Sequence, residues 1–182
     1  MAAENGLGQM FVAGAGLEEM TAQVRRFNTI RAQMGLPPDQ PTTLLWMYCA
    51  ETASEAEEGW EYFRNQLVAA QHHYFEWNNP GYAGIPGYEE YPTRQPAVDG
   101  VADASLAARR ATQPVGTPDE IIEKIRTLQH AISLEMVVIH FFYGGMPRAK
   151  AEKSLRLFAE RVLPAVQAMP TPINPASLGQ PA

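Results

Sequence analysis

Three short apolar runs stand out along the chain: Gln9–Ala13 (QMFVA), Thr42–Ala50 (TTLLWMYCA) and Met136–Tyr143 (MVVIHFFY). Each is nearly continuous rather than alternating. Such runs suit strands buried on both faces, as in parallel sheets covered by helices. Between and after them, apolar positions recur at helical spacing. Leu17, Met20, Val24, Phe27, Ile30 and Met34 predict a helix over 17–34, ended by Gly35 and Pro37-Pro38. Ser54 and Glu57 open a second helix, over 54–70, at capping-box spacing. Thr117-Pro118-Asp119-Glu120 is a stronger start signal, with Thr117 as N-cap, Pro118 at the first helical position and Glu120 reaching back. That helix runs to about Ile132. Leu155, Phe158 and Val162 form the buried row of a last helix over 147–162, and Pro164 ends it.

The order is strand, helix, strand, helix, insertion, helix, strand, helix. Repeated βα units of this kind predict an α/β fold with a parallel sheet. The insertion, 72–115, breaks the rhythm. It holds Tyr74, Phe75, Trp77, Tyr82, Tyr88 and Tyr91 among several glycines and prolines. A long aromatic insertion at the C-terminal ends of barrel strands reads either as an active-site lid or as a packing arm for a neighbouring subunit. The Pro-rich stretch 169–182 reads as a disordered tail.

Composition narrows the function classes. The 182 residues are 46% hydrophobic and 19% charged, as in an ordinary globular domain. A net charge of −6 and the lack of any basic run argue against a nucleic-acid partner. No apolar stretch approaches the ~20 residues of a membrane helix, and no signal peptide is visible, so the expected compartment is the cytoplasm. The one cysteine, Cys49, sits in an apolar run and reads as a small core residue. His72 and His73 are adjacent and point apart on a helix, so they do not make a zinc site. Ser105 and Ser133 lack a nucleophile-elbow sequence.

Three segments carry a resemblance. Ala2–Gly8 looks like the end of a helix before a sixth barrel strand. Gly116-Thr117-Pro118-Asp119-Glu120, followed by Ile121, Ile122 and Ile125, resembles a "G-T-P-E" helix start ahead of an eighth strand. His140–Pro147 with Ser154–Pro164 resembles the eighth strand and closing helix. Together, over roughly residues 1–168, they resemble the C-terminal portion of the luciferase-like flavin-dependent monooxygenases. The resemblance implies a partial (β/α)8 barrel, with the three apolar runs as strands six, seven and eight. A whole barrel typically needs ~250 residues, so the chain is expected to lack the earlier strands and, alone, to be incomplete.

The resemblance further implies a flavoprotein monooxygenase using reduced FMN, O2 and a small-molecule substrate. The deazaflavin F420 is an alternative that the residues present do not separate from FMN. A non-catalytic partial-barrel subunit, docking as a homo- or hetero-oligomer, is the runner-up. Site residues are expected near the C-terminal ends of the strands. His140 is the catalytic candidate, able to hydrogen-bond a substrate or a flavin-held oxygen; the alternative is a satisfied strand histidine. Gly14, Trp46, Tyr143 and Gly144 are candidate cofactor contacts, with core tryptophan the competing reading for Trp46. Glu51, Phe142, Tyr74 and Trp77 are candidate substrate contacts, and Glu51 equally suits the charge cluster of the following helix.

Overall fold

The computed structural model describes residues 1–12, 16–70, 80–89 and 98–178. Gly14, Tyr74 and Trp77 lie outside them. The elements are β1 (Met10–Val12), α1 (Leu17–Gln33), β2 (Thr42–Trp46), β3 (Tyr48–Cys49), α2 (Ala53–Ala70), α3 (Val98–Arg109), β4 (Val115–Gly116), α4 (Pro118–Ile132), β5 (Met136–His140), α5 (Arg148–Arg161) and α6 (Leu163–Gln167). Short 3-10 turns cover Ala3–Asn5, Pro80–Gly84 and Pro175–Leu178. Ala2–Gly8, expected as a helix end, is one such turn.

The three apolar runs form one parallel sheet in the order β1-β2-β5. Its register pairs Met10 with Thr42 and Met136, Val12 with Leu44 and Val138, and Trp46 with His140. No closed barrel forms among the described residues. The second run does not continue to Ala50 as one strand. It breaks at Met47, whose N–H donates to the His140 carbonyl at 2.9 Å. Beyond that point β5 has ended, and β3 takes a new parallel neighbour, β4. Two-residue β4 was not expected from the sequence, because Val115–Gly116 is too short to show a pattern of its own.

Among the described residues the rows of the sheet below Trp46 and His140 are covered by helices on one face only, which corrects the expectation of strands buried on both. Thr43 and Leu45 are fully buried, and Leu45 packs with Met20, Val24, Leu128 and Ile132 from α1 and α4. The alternate positions, on the other face, stay open: Met10 is 62% exposed, Val12 54%, Met136 56% and Val138 37%. Period-two alternation therefore separates a helix-covered face from an uncovered apolar one. At the free edge of β5 lies a groove of about 400 Å3 lined by Met136, Val137, Ile139, Phe158, Val166 and Met169.

Local chemistry explains the helix boundaries. Pro118 opens α4 behind a capping box in which the Glu120 carboxylate accepts from the Thr117 N–H at 2.7 Å and from its hydroxyl at 2.9 Å. Ile121, Ile125, Leu128 and Ile132 follow as its buried stripe. On α1, Asn28 and Arg31 are buried yet polar because they tie down the loop that follows. Asn28 exchanges hydrogen bonds with the Asp39 backbone (2.8 and 3.1 Å), and Arg31 donates to the carbonyls of Pro37 and Leu7.

Two further differences from the sequence reading concern the insertion and the tail. Part of the insertion is helix α3, which packs on α2 with Arg64 and Asp103 paired at 2.8 Å. The tail, expected to be disordered, docks as far as residue 178. Asn174 donates through its side chain to the His130 carbonyl at 2.7 Å, and Ser133 and Ser177 share a buried hydroxyl contact of 2.7 Å. Composition predicted disorder, but the Asn174 side chain meets a carbonyl in the last turn of α4, and the Ser133 hydroxyl just beyond the helix accepts from the Asn174 N–H at 2.7 Å. Among the described residues no helix is long and apolar enough to cross a membrane.

Candidate active site

Parallel strands deliver their C-terminal residues to one rim. Trp46 ends β2, His140 ends β5, and the register sets them side by side. Their ring centroids are 6.4 Å apart. After His140 the chain turns sharply, with Gly144 at φ +60° and Gly145 at φ +74°, and the Met146 N–H closes the turn on the Tyr143 carbonyl. The turn folds Tyr143 back so that its ring lies 5.9 Å from that of His140. Phe63, from α2, fills the remaining corner at 5.6 Å from Trp46 and 6.3 Å from Tyr143. All three contacts other than Trp46–His140 are edge-on, the arrangement favoured by ring quadrupoles.

The result is a quartet of rings. Phe63 and Tyr143 are buried, Trp46 is half-buried, and His140 is exposed. Two polar atoms within it, Trp46 Nε1 and Tyr143 Oη, are buried and have no hydrogen-bond partner among the described residues. Burial holds the Tyr143 phenol far above its ordinary titration range, so it stays neutral.

Other candidates are placed elsewhere. Gly144 packs tightly against α2: its N–H donates to Gln66 Oε1 at 3.2 Å, and a Cβ there would sit 1.8 Å from the Tyr62 carbonyl oxygen. Glu51 is exposed and pairs with Lys153 at 3.0 Å, in a cluster with Glu55. Hydrogen bonding from Lys153 holds Glu55 below the usual carboxylate range. Phe142 is 57% exposed and lines an open depression with Phe141, Arg148 and Leu155 rather than the quartet. Cys49 is buried, and desolvation pushes its thiol up to about 12. The quartet thus unites His140, Trp46 and Tyr143, and separates them from Glu51 and Phe142. Sequence reasoning missed Phe63 and Gln66. Both lie on a helix whose periodicity marks a buried face but not what that face meets.

The sequence pattern of the luciferase-like monooxygenases matches residues 1–134, well over half of the 182. The chain belongs to the luciferase-like monooxygenase family. The matched span ends before the His140–Pro164 motif. Among solved structures, the monooxygenase RslO1 from Streptomyces bottropensis is 25% identical, with a TM-score of 0.56 over 90% of this chain and 43% of its own. Apo-MsnO8 is 20% identical, with a TM-score of 0.45 over 93% of this chain and 47% of its own. No curated protein matches the sequence. This luciferase-like monooxygenase chain therefore spans less than half the length of either structure, and its three-stranded parallel sheet is a partial barrel.

Proposed function

We propose that this chain forms one wall of a flavin-dependent monooxygenase that acts on a small organic substrate with O2, and that alone it is an incomplete enzyme. Family membership supports the reaction class. The observation that carries the site is the gathering of His140, Trp46 and Tyr143 at the C-terminal ends of adjacent parallel strands. That is the end at which barrel enzymes place their chemistry.

The residues fit part of a flavin. Ring faces and two acceptorless donors suit a flat heterocycle with carbonyl acceptors. The quartet offers nothing built for a phosphate, which is left to the opposite wall. Bound reduced flavin would supply the electrons that activate O2. The chain's own residues orient and shield. Phe63 and Trp46 exclude water from one side. Tyr143, held neutral, can donate but does not add negative charge. His140, exposed at the rim, is placed to hydrogen-bond a substrate oxygen.

The incomplete reading is supported by the uncovered inner sheet face and by the 43% share of RslO1 that the chain spans. A barrel fills that face with side chains from its other strands. The test is titration of the purified chain with FMN, followed by flavin fluorescence, together with oxygen uptake under reduced FMN. Weak binding and no uptake are expected. A stable monomer that holds FMN stoichiometrically and consumes oxygen would overturn the reading of incompleteness.

The same open face favours a second reading, a partial barrel that docks on itself or a relative without catalysis. It requires a stable oligomer by light scattering and no turnover with reduced flavin in that assembled state.

A further inference from the structure

The chain has three lysines, Lys124, Lys150 and Lys153. Two lie on α5 and are neutralised by carboxylates: Lys150 pairs with Glu58 at 2.8 Å, and Lys153 with Glu51 and Glu55 at 3.0 and 2.9 Å. Hydrogen bonding to those carboxylates holds both ammonium groups above the ordinary lysine range. Lys124, on α4, is built in differently. Its amine donates to the Val115 carbonyl at 2.7 Å and lies 5.2 Å from the centre of the Trp60 ring, with no carboxylate in ion-pair reach among the described residues.

Lys124 borders a cavity of about 150 Å3 between α2, α4 and β4. Trp60, buried on α2, forms one wall, and Arg110 lies 4.8 Å from the same ring as a second cation. The carboxylates that line the cavity are engaged by other groups. Glu57 holds Arg110 through hydrogen bonds of 3.1 and 2.9 Å, and Glu120 accepts from Thr117. Desolvation holds the Lys124 ammonium below the ordinary lysine range; Arg110 lowers it further, while Glu120 and Glu57 pull the other way. A desolvated lysine beside another cation is the arrangement that frees an amine lone pair for attack. None of these groups belongs to the ring quartet.

We propose that Lys124 is an acylation site, taking a small acyl group onto Nζ from an activated donor, either an acyl phosphate or an acyl thioester. The neutral amine forms an N–C bond to the acyl carbon. The bond from that carbon to the phosphate oxygen or thiol sulfur breaks. The leaving group departs with the bonding electrons and takes up the proton that the amine gives up. The product suits the place where it forms. An amide keeps one N–H, so the Val115 carbonyl keeps its donor. A cavity of this volume admits a group of about benzene size, which limits the acyl group to a small one. Acylation also removes the charge, and with it the cation on the Trp60 ring.

The test treats the purified chain with acetyl phosphate and, separately, with the S-acetyl thioester of N-acetylcysteamine at pH 8, and follows acetylated peptides over time by mass spectrometry. The neutral fraction of an amine changes about tenfold per pH unit, and a weaker base attacks only somewhat more slowly. With at least one donor, Lys124 is therefore expected to acetylate at least about fivefold faster than Lys150 or Lys153. The donor that gives the lead identifies the source. In urea the lead should vanish. Arg110 is exposed, so Arg110→Gln spares the core; it removes one cation and frees Glu57, and the lead should fall at least about twofold while Lys150 and Lys153 keep their rates. Arg110→Lys keeps the cation and should keep most of the lead. Equal or slower labelling of Lys124 with both donors would overturn the inference. So would a lead that persists in urea, which would place its cause in the local sequence, or one that Arg110→Gln leaves untouched.

Discussion

At the residue scale, burial decides what the ionisable groups can do. Cys49 lies on β3 beneath α5, where its N–H donates to Ser154 Oγ at 2.7 Å. Its thiol is pushed up to about 12 from an ordinary 9.0 by desolvation. A thiol of that kind is neither a nucleophile nor a redox handle. Two outcomes follow. A disulfide exchange reagent at pH 8 should label it only after unfolding. Stability should also carry a pH signature. Between pH 9 and about 12 the unfolded chain has lost the thiol proton while the folded one keeps it. The unfolded state then binds fewer protons, so stability falls as pH rises through that window, by up to about 1.4 kcal/mol per unit. Tyr48 and Tyr143 are also raised and add their own alkaline loss. The cysteine share is therefore the difference between urea midpoints of the parent and Cys49→Ala across the series. A difference that does not vary with pH would refute it.

The paired glycines after β5 separate two uses of one residue type. Gly144 and Gly145 both have positive φ, but only Gly144 is pressed against a neighbour, with the Tyr62 carbonyl where a Cβ would go. Gly145 has open space around it. Gly145→Ala should cost about 1 kcal/mol, the left-handed strain alone. Gly144→Ala must in addition push α2 away from the turn that seats Tyr143, costing about 3 kcal/mol or more. Chemical denaturation of both variants measures the difference, and equal costs would mean that the contact with α2 yields easily.

At the element scale, the parts of the fold written in local chemistry were the legible ones. Thr117-Pro118-Asp119-Glu120 states a helix start in four residues, and α4 begins at Pro118. Thr117→Ala should destabilise by about 1 kcal/mol, read from the urea midpoint, because it removes the hydroxyl half of the box. The apolar runs around Phe11, Leu45 and Val138 announced strands, and their parallel order was legible from the intervening helices. What depended on partners distant in sequence was not. Nothing in LLWMYC says that the chain must break at Met47, since the break comes from β5 ending at His140 and β4 arriving from residue 115. The docking of 171–178 was hidden by its prolines, although Asn174 and Ser177 carry the contacts. At the site, Trp46 and His140 were legible as strand ends and Tyr143 as the turn beyond. Phe63 was not, because a phenylalanine on an amphipathic helix reads as core whichever cluster it joins.

At the scale of the whole molecule, the deciding feature is that one sheet has a dry face and a wet one. Val12, Leu44 and Val138 form one cross-strand row, with Met10, Thr42 and Met136 below it and Trp46 with His140 above. These rows have the spacing of barrel-interior layers, yet their apolar members lie open. The opposite face, centred on Leu45, is sealed by α1 and α4. Substitutions on the two faces should therefore diverge. Leu45→Ala leaves a cavity in a packed core and should cost about 2–5 kcal/mol. Val12→Thr and Val138→Thr keep β-branched shape on an open face and should change stability by no more than about 0.5 kcal/mol. They should also lower binding of a hydrophobic dye and self-association by light scattering, because less apolar surface is offered. If Val138→Thr instead destabilises the chain as much as Leu45→Ala, the inner face is already covered in solution. The wall would then have found its partner in a second copy of itself, and the concentration dependence of unfolding would rise accordingly.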